Sequence, residues 1–287
     1  MTGPAFRLSL PDQSCGGVVF ASPHSGSIYP PDFVAASQLD ELALRSSEDA
    51  FVDDLFSDAP RCGMPLLAAL APRAYVDVNR AADELDPALI AGLHRSHPNP
   101  RINSGLGVIP RVVAGGRSIY RGKITRAEAE ARLARVWHPY HEALQRLLAQ
   151  CRAASGEVVL IDCHSMPREA LGAGRSPART RPDVVLGDRF GASASPEVSD
   201  RVEAAFKLAG FRVARNTPFA GAFIAQHYGR PSRGQHVVQI EIDRGLYMHE
   251  GELRPNADYP SVKAALGRAI AELAAASGRR DAAMAAE

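Results

Sequence analysis

The chain has 287 residues, of which 46% are hydrophobic and 23% charged, and its formal net charge at pH 7 is +1. These values are those of an ordinary globular protein that is long enough to bury a sizeable core. The near-zero charge argues against nucleic acid or an anionic membrane surface as a partner.

The N-terminal segment lacks the basic and apolar regions of a signal peptide, and no stretch approaches the roughly 18 apolar residues of a membrane span. The cysteines show neither CxxC spacing nor the density of a disulfide framework; they are Cys15, Cys62, Cys151 and Cys163. We therefore expect a cytoplasmic protein with reduced thiols.

Short apolar runs predict strands that are buried on both faces of a mostly parallel sheet. In chain order they cover residues 18–21, 74–78, 158–161, 184–186 and 237–242. Because helical patterns alternate with these runs, the sequence predicts an α/β fold with three α/β/α layers and a mixed, mostly parallel central sheet. We expect one domain over residues 1–277 and a disordered tail over 278–287.

Local signals mark the helices between the strands. Thr125 and Glu128 form a capping box, and Pro139 should kink or divide the helix that follows. Another helix should start at Ser195 with proline in its first turn and stop near Gly210, and a third should cover 261–277. The Gly- and Arg-rich stretch 168–181 predicts either a mobile loop over a site or a surface excursion.

Two of the predicted strands lead into histidines, His24 and His164. Ligands gather at the carboxyl ends of strands in α/β sheets, and neutral imidazole is a good zinc ligand. A single histidine of this kind would more simply hydrogen-bond a local turn, but two at matching strand ends favour a metal site.

A third ligand is expected from the acidic segment that opens a helix near residue 50. Glu48, Asp49 and Asp53 are all candidates, and the residue pattern does not choose among them. The competing interpretation is that these carboxylates only cap the helix and compensate its dipole.

Glu241 lies in the middle of an apolar strand, where period-two alternation places it on one face with Gln239 and Asp243. A carboxylate in such a strand is costly unless it is paired, metal-linked or catalytic. Beside a metal-bound water it could act as a general base, and the simpler alternative is a buried pair with Arg244. By the same alternation Cys163 faces away from His164, which argues against a thiol nucleophile.

The segment Asp77-Val-Asn79-Arg80 follows another apolar run. An arginine there can bind a carboxylate with two hydrogen bonds, and an asparagine can hold a carbonyl or amide. A surface ion pair of Arg80 with Asp83 or Glu84 is the simpler explanation.

Several sequence motifs, taken together and in their order along the chain, make the chain resemble the N-formylglutamate amidohydrolase family. They are SPHSGSIYP at 22–30, EDAFVDDLF at 48–56, YVDVNR at 75–80, YRGKIT at 120–125, HPYHEAL at 138–144, LIDCHSMP at 160–167 and NTPFAGAFIAQHYGRPSRGQHVVQIEIDRGLYM at 216–248. That family looks like a relative of zinc carboxypeptidases and aspartoacylases, so the resemblance also implies a zinc-carboxypeptidase-like fold.

The resemblance implies roles for particular residues. It assigns zinc, or another divalent transition metal, to His24, Asp49 and His164, and the role of general base to Glu241. The resemblance places the substrate carboxylate at Arg80 with Asn79 beside it, and further pocket contacts are implied at Arg111, Tyr140 and His141.

The implied reaction is hydrolysis of a small N-acyl amino acid, with N-formyl-L-glutamate as the leading substrate and amino-acid catabolism, such as histidine degradation, as its setting. A carboxypeptidase-like enzyme or another N-acyl-amino-acid deacylase would use the same metal site. A non-catalytic protein that binds a metal or metabolite is the alternative from a different class. The sequence does not indicate the oligomeric state.

Overall fold

The computed structural model describes residues 3–13, 16–94, 99–172 and 181–284. Its main feature is a seven-stranded sheet in the order β1-β3-β2-β4-β7-β5-β6. The strands are β1 Phe6–Ser9, β2 Val18–Ser22, β3 Leu66–Ala69, β4 Val158–Met166, β5 Val184–Gly187, β6 Val213–Arg215 and β7 Gln235–Asp243, and β8 Met248–His249 pairs with β9 Arg254–Pro255.

The centre of the sheet is mostly parallel. Strand β4 pairs in parallel with β2 and with β7, and β5 pairs in parallel with β6. Strands β5 and β7 pair antiparallel. Every residue of β2, β4 and β5 is buried, so both faces of these strands are covered. This confirms the predicted layered α/β fold with a mixed, mostly parallel sheet.

The predicted strand at 74–78 is wrong. Tyr75 and Val76 donate backbone hydrogen bonds to Pro72, and Asp77 donates to the Val108 carbonyl, so the run forms a buried turn instead of joining the sheet. Burial explains why its residues are apolar, and periodicity cannot tell a buried turn from a buried strand over five positions. Strands β1, β3 and β6 were not predicted from the sequence.

Nine α-helices occur in the described residues. They are α1 Pro31–Ala36, α2 Glu41–Arg45, α3 Val52–Leu55, α4 Pro100–Asn103, α5 Arg126–Arg132, α6 His138–Ser155, α7 Pro196–Leu208, α8 Phe223–Tyr228 and α9 Tyr259–Met284. Side chains cap the starts of α2, α4, α5 and α7. None of the helices in the described ranges combines the length and the apolar character needed to cross a lipid bilayer.

The predicted helix starts are confirmed at atomic detail. The Thr125 hydroxyl accepts from the Glu128 amide, and the Ser195 hydroxyl accepts from the Val198 amide, so each satisfies a free N–H at a helix start. The backbone widens into a π-helical turn over Leu133–Trp137, just before Pro139. This turn is the predicted division, because proline lacks an N–H and clashes with the carbonyl four residues earlier. Helix α9 continues to Met284, past the predicted end at 277.

By contact density the chain forms two compact units. The first comprises Met1–Arg7, Pro23–Ala50 and Ala68–Ala143, and it contains helices α1, α2, α4 and α5. The second comprises Leu8–Ser22, Phe51–Leu67 and Leu144–Glu287, and it contains β2, β4 to β7 and helices α7 to α9. The single domain over 1–277 stays a prediction. Residues 173–180 of the predicted loop and 285–287 of the predicted tail lie outside the described residues.

Candidate metal centre and active site

His24 and Asp49 are held together by their backbones. The Asp49 amide donates to the His24 carbonyl at 3.0 Å, and His24 Nδ1 lies 3.5 Å from Asp49 Oδ2. Both residues are buried. The turn that carries His24 needs glycine at Gly26, because a Cβ there would lie 2.1 Å from the Ala71 carbonyl oxygen.

The Asp77 carboxylate orients His24 from the other side of the ring. Its Oδ1 lies 2.7 Å from His24 Nε2 and also accepts from the Asn79 amide, while Oδ2 accepts from Arg73 Nη2 at 2.9 Å. Burial alone would raise the pKa of Asp77, but His24, Arg73 and Arg80 outweigh it and hold that pKa well below its usual range. With a metal ion bound, this carboxylate would hold the ring proton on Nε2, which leaves Nδ1 to bind the ion.

The structure distinguishes the three acidic candidates. Both oxygens of Glu48 accept from Arg45, at 3.1 and 3.2 Å, so this carboxylate is engaged in a bidentate pair. Asp53 lies in the first turn of α3 and is only half-buried. Asp49 precedes that helix, and of the three candidates it is the one whose carboxylate lies near His24.

His164 lies within β4 instead of at its end, and Glu241 is its direct register partner on β7. Side chains alternate along strands, so His164 shares one face of the sheet with Asp162, Gln239 and Glu241. His164 Nε2 lies 3.2 Å from the fully buried Asp162 Oδ2, and Gln239 Nε2 donates to Glu241 Oε1 at 2.8 Å. Arg244, the alternative partner considered for Glu241, donates from Nε to the Ser165 hydroxyl.

His24, Asp49 and His164 offer three buried ligand atoms that lie within 4.8 Å of one another. Two imidazoles and one carboxylate are a donor set that catalytic zinc and related metals accept, with a coordination position left over. Each imidazole also has a carboxylate at its Nε2, Asp77 for His24 and Asp162 for His164. A carboxylate that is hydrogen-bonded as Asp77 is orients a metal-binding histidine, so the residues present fit a divalent metal ion.

Arg80 is buried, so it does not form the exposed surface ion pair that was the simpler explanation, although the charge of Glu84 still acts on it. Its Nε donates to the Leu106 carbonyl and its Nη1 to the Asn79 carbonyl, both at 3.0 Å. Asn79 is buried beside it, and the Asn79 amide donates to Asp77. Burial lowers the pKa of Arg80, although the Asp77 carboxylate partly offsets this effect. The Asp77–Arg80 turn therefore ties the candidate substrate-binding arginine to the carboxylate that orients His24.

The remaining predicted pocket residues have structural contacts of their own. Arg111 Nε donates to the buried Asp86 at 2.9 Å. His141 Nε2 lies 2.8 Å from the Val78 carbonyl, and its ring packs at a tilt against Trp137, whose indole donates to the Arg80 carbonyl.

Tyr140 is fully buried in the core. His141 and its neighbour Trp137 contact the carbonyls of Val78 and Arg80, so they support the backbone of the Asp77–Arg80 turn. Roles for Arg111, Tyr140 and His141 in substrate binding stay predictions.

Cys163 is fully buried, and burial raises the pKa of its thiol well above the ordinary value. The prediction that it behaves as a small hydrophobic residue is therefore confirmed. Cys62, Cys151 and Cys163 are all free thiols. Cys15 lies outside the described residues.

Sequence reasoning missed the supporting residues of the site. It considered Asp77 only as part of a motif and gave no role to Asp162 or Gln239. A usable signal was present in the sequence, because these three residues are polar and lie in otherwise apolar stretches. Each lies two positions before a residue that was already a candidate, namely Asn79, His164 or Glu241. Their partners could not be read from spacing alone.

Known proteins match the chain over most of its length. The sequence profile of the N-formylglutamate amidohydrolase family matches residues 16–248. An N-formylglutamate deformylase of Pseudomonas aeruginosa is 32% identical over 268 residues, which is 91% of this chain and 94% of that protein. One of Pseudomonas putida is 28% identical over 240 residues, covering 82% and 83% of the two chains.

Solved structures agree with these matches. The crystal structure of an N-formylglutamate amidohydrolase from Ralstonia eutropha superposes with a TM-score of 0.89 at 35% identity, covering 96% of this chain and 99% of that one. A protein from Agrobacterium tumefaciens shares the fold, with a TM-score of 0.63 at 19% identity over 94% and 95% of the chains. With its buried histidine–aspartate–histidine group and a profile match over most of its length, the chain belongs to the N-formylglutamate amidohydrolase family.

Proposed function

We propose that this protein is a zinc-dependent amidohydrolase that converts N-formyl-L-glutamate to formate and glutamate. The observation that carries the proposal is the buried group of His24, Asp49 and His164, with Glu241 as the register partner of His164, in a chain of this family. The relatives named as N-formylglutamate deformylases support the choice of substrate.

In this proposal His24, Asp49 and His164 would hold the ion, with Asp77 hydrogen-bonded to His24 and Asp162 close to Nε2 of His164. When bound there, zinc would supply Lewis-acid chemistry toward the formyl oxygen and the attacking water.

Glu241 performs the proton transfers. Its carboxylate takes a proton from the attacking water and returns it to the leaving amine nitrogen as the C–N bond breaks. Burial on the face shared with His164 keeps this carboxylate away from bulk solvent.

Arg80 binds a carboxylate of the substrate, and Asn79 hydrogen-bonds a neighbouring polar group. Because Arg80 is already fixed by two backbone carbonyls, binding costs little side-chain entropy and orients the reacting bond through a group that does not react.

Metal analysis and formate release from N-formyl-L-glutamate test this proposal together. We expect about one zinc per chain and faster turnover of the formyl substrate than of N-acetyl- or peptidyl-glutamate. Faster turnover of another acyl substrate would make the protein a different deacylase. Bound metal without hydrolysis of any of the three would make it a binding protein.

Replacing Glu241 by Gln tests the general base separately. We expect zinc content to stay unchanged while kcat for N-formyl-L-glutamate falls by about 100-fold or more, because the amide cannot accept the proton. Turnover close to that of the unmodified protein would refute the assignment.

A further inference from the structure

Gln239 is a buried amide whose hydrogen-bonding groups are engaged at both ends. It lies on β7 two residues before Glu241, is only 3% exposed, and shares the face of that carboxylate. Its Oε1 accepts from the Ala222 amide at 3.0 Å, and its Nε2 donates to Glu241 Oε1 at 2.8 Å. Burying an amide is costly unless both ends are satisfied, so these two bonds define one orientation.

The chemistry of these partners determines which end of the amide faces which neighbour. A backbone N–H can only donate, so the atom that faces Ala222 must be the oxygen of Gln239. The NH₂ group therefore faces Glu241, and Glu241 Oε1 serves as its acceptor. This hydrogen bond restricts rotation of the Glu241 carboxylate.

A close approach of two backbone segments places the Ala222 amide against Gln239. Gly187 on β5 is the register partner of Gln239, and a Cβ at Gly187 would lie 2.7 Å from both the Ala220 carbonyl carbon and the Gly221 nitrogen. Backbone hydrogen bonds from Asn216 to Leu186 and from Arg189 to Ala220 keep the segment there. Because residue 187 has no side chain, residues 220–222 can lie close enough to β7 for the Ala222 amide to donate to Gln239.

We propose that Gln239 is a positioning residue, whose hydrogen bond to Oε1 clamps the Glu241 carboxylate in the orientation that proton transfer needs. This inference deepens the proposed function and rests on Glu241 being the general base. Gln239 acts through Glu241 and has no role in binding substrate or metal. Loss of the clamp would let the carboxylate rotate and would slow the chemical step without weakening substrate binding.

Replacing Gln239 by Leu in the zinc-loaded protein tests the clamp. We expect kcat for N-formyl-L-glutamate to fall about 10- to 100-fold, the usual effect of losing an outer-shell contact, with KM within about 2-fold and zinc content unchanged. The matched control is Gln235→Leu on the same strand, whose amide donates to the Tyr228 carbonyl, and it should keep kcat. A rise in KM at constant kcat would overturn the proposal, as would an equal loss in both variants.

Gln239→Met separates the hydrogen bond from packing and guards against misfolding of the leucine variant. Methionine has nearly the length and volume of glutamine and no charge, but its thioether cannot donate to Glu241. We expect the loss in kcat to persist while the thermal midpoint falls no further than in Gln239→Leu. Normal turnover by Gln239→Met would show that the donated hydrogen bond is not needed.

A double mutant distinguishes this inference from the proposed function beneath it. If Gln239 acts only through Glu241, then adding Gln239→Leu to Glu241→Gln should cause no further loss of kcat. Losses that multiply would mean that Gln239 acts independently of Glu241, which overturns the clamp alone. Normal turnover by the Glu241→Gln single mutant would instead refute the general base and the clamp with it.

Discussion

At the scale of single residues, Asp77 links the two halves of the proposed chemistry. It accepts from His24, from Arg73 and from the Asn79 amide, so one carboxylate both orients a candidate metal ligand and shapes the turn that carries Arg80. Its role depends on being ionised in a buried position, which the surrounding positive groups ensure.

We expect Asp77→Asn to lower zinc affinity by about 10- to 100-fold, because a neutral amide orients the His24 ring less strongly. A competition titration with a chromophoric chelator measures this. Asp183→Asn is the matched control, since Asp183 is also buried and paired with an arginine, Arg212, and zinc affinity should not change there. Equal zinc affinity in the unmodified protein and Asp77→Asn would remove Asp77 from the site.

At the scale of elements, Gly187 at the end of β5 lies in close contact with the backbone of Ala220 and Gly221. We expect Gly187→Ala to reduce kcat for N-formyl-L-glutamate by about 10-fold or more, because its Cβ would push the Ala220–Gly221 backbone away and with it the Ala222 amide. Gly251→Ala is the control, because a Cβ at Gly251 meets nothing within 4 Å. Unchanged kcat in Gly187→Ala would show that the close approach does not matter for turnover.

Asp188, which directly follows β5, should make the stability of the protein sensitive to acid. Burial favours its protonated form, but hydrogen bonds from Asn216, Ser199 and the Gly191 amide outweigh this and lower the pKa of Asp188. Its stabilising effect is therefore present above the unfolded-state pKa of about 3.9 and is lost as pH falls through the lower folded-state value.

We expect Asp188→Asn to reduce the free energy of unfolding at pH 7 by about 1–3 kcal/mol, and to lose less further stability than the unmodified protein on acidification to about pH 3. Urea unfolding at several pH values measures both effects. Asp200→Asn, in an exposed pair with Arg215, should change little at any pH. Parallel loss of stability in Asp188→Asn and the unmodified protein would contradict the assignment.

At the scale of the whole molecule, metal binding should be coupled to folding. The candidate ligands come from positions 24, 49 and 164, so they are collected only in the folded chain. Zinc at 100 times its dissociation constant should stabilise the protein by about 2.7 kcal/mol, and chelation should lower the thermal midpoint by several degrees. The exposed His249→Ala should keep this response, whereas His164→Ala should lose it. An undiminished zinc response in His164→Ala would place the metal elsewhere.

Local chemistry was sufficient to predict several elements. The caps at Thr125 and Ser195, the division of the helix before Pro139 and the buried strands β2, β4, β5 and β7 follow from signals a few residues long. The run at 74–78 failed because its apolar residues are buried by a turn, and burial leaves the same composition in a turn as in a strand.

For the candidate site, the sequence by itself determined the residue types and the face they share: two histidines that follow or lie in apolar strands, and Glu241 in phase with Gln239. Only the tertiary structure decided that Asp49 faces His24, that Arg45 engages Glu48 and that Asp77 orients the imidazole. Alternation along a strand is local and can be read from spacing. The choice among nearby carboxylates depends on how segments distant in sequence fold against one another, and spacing does not encode that.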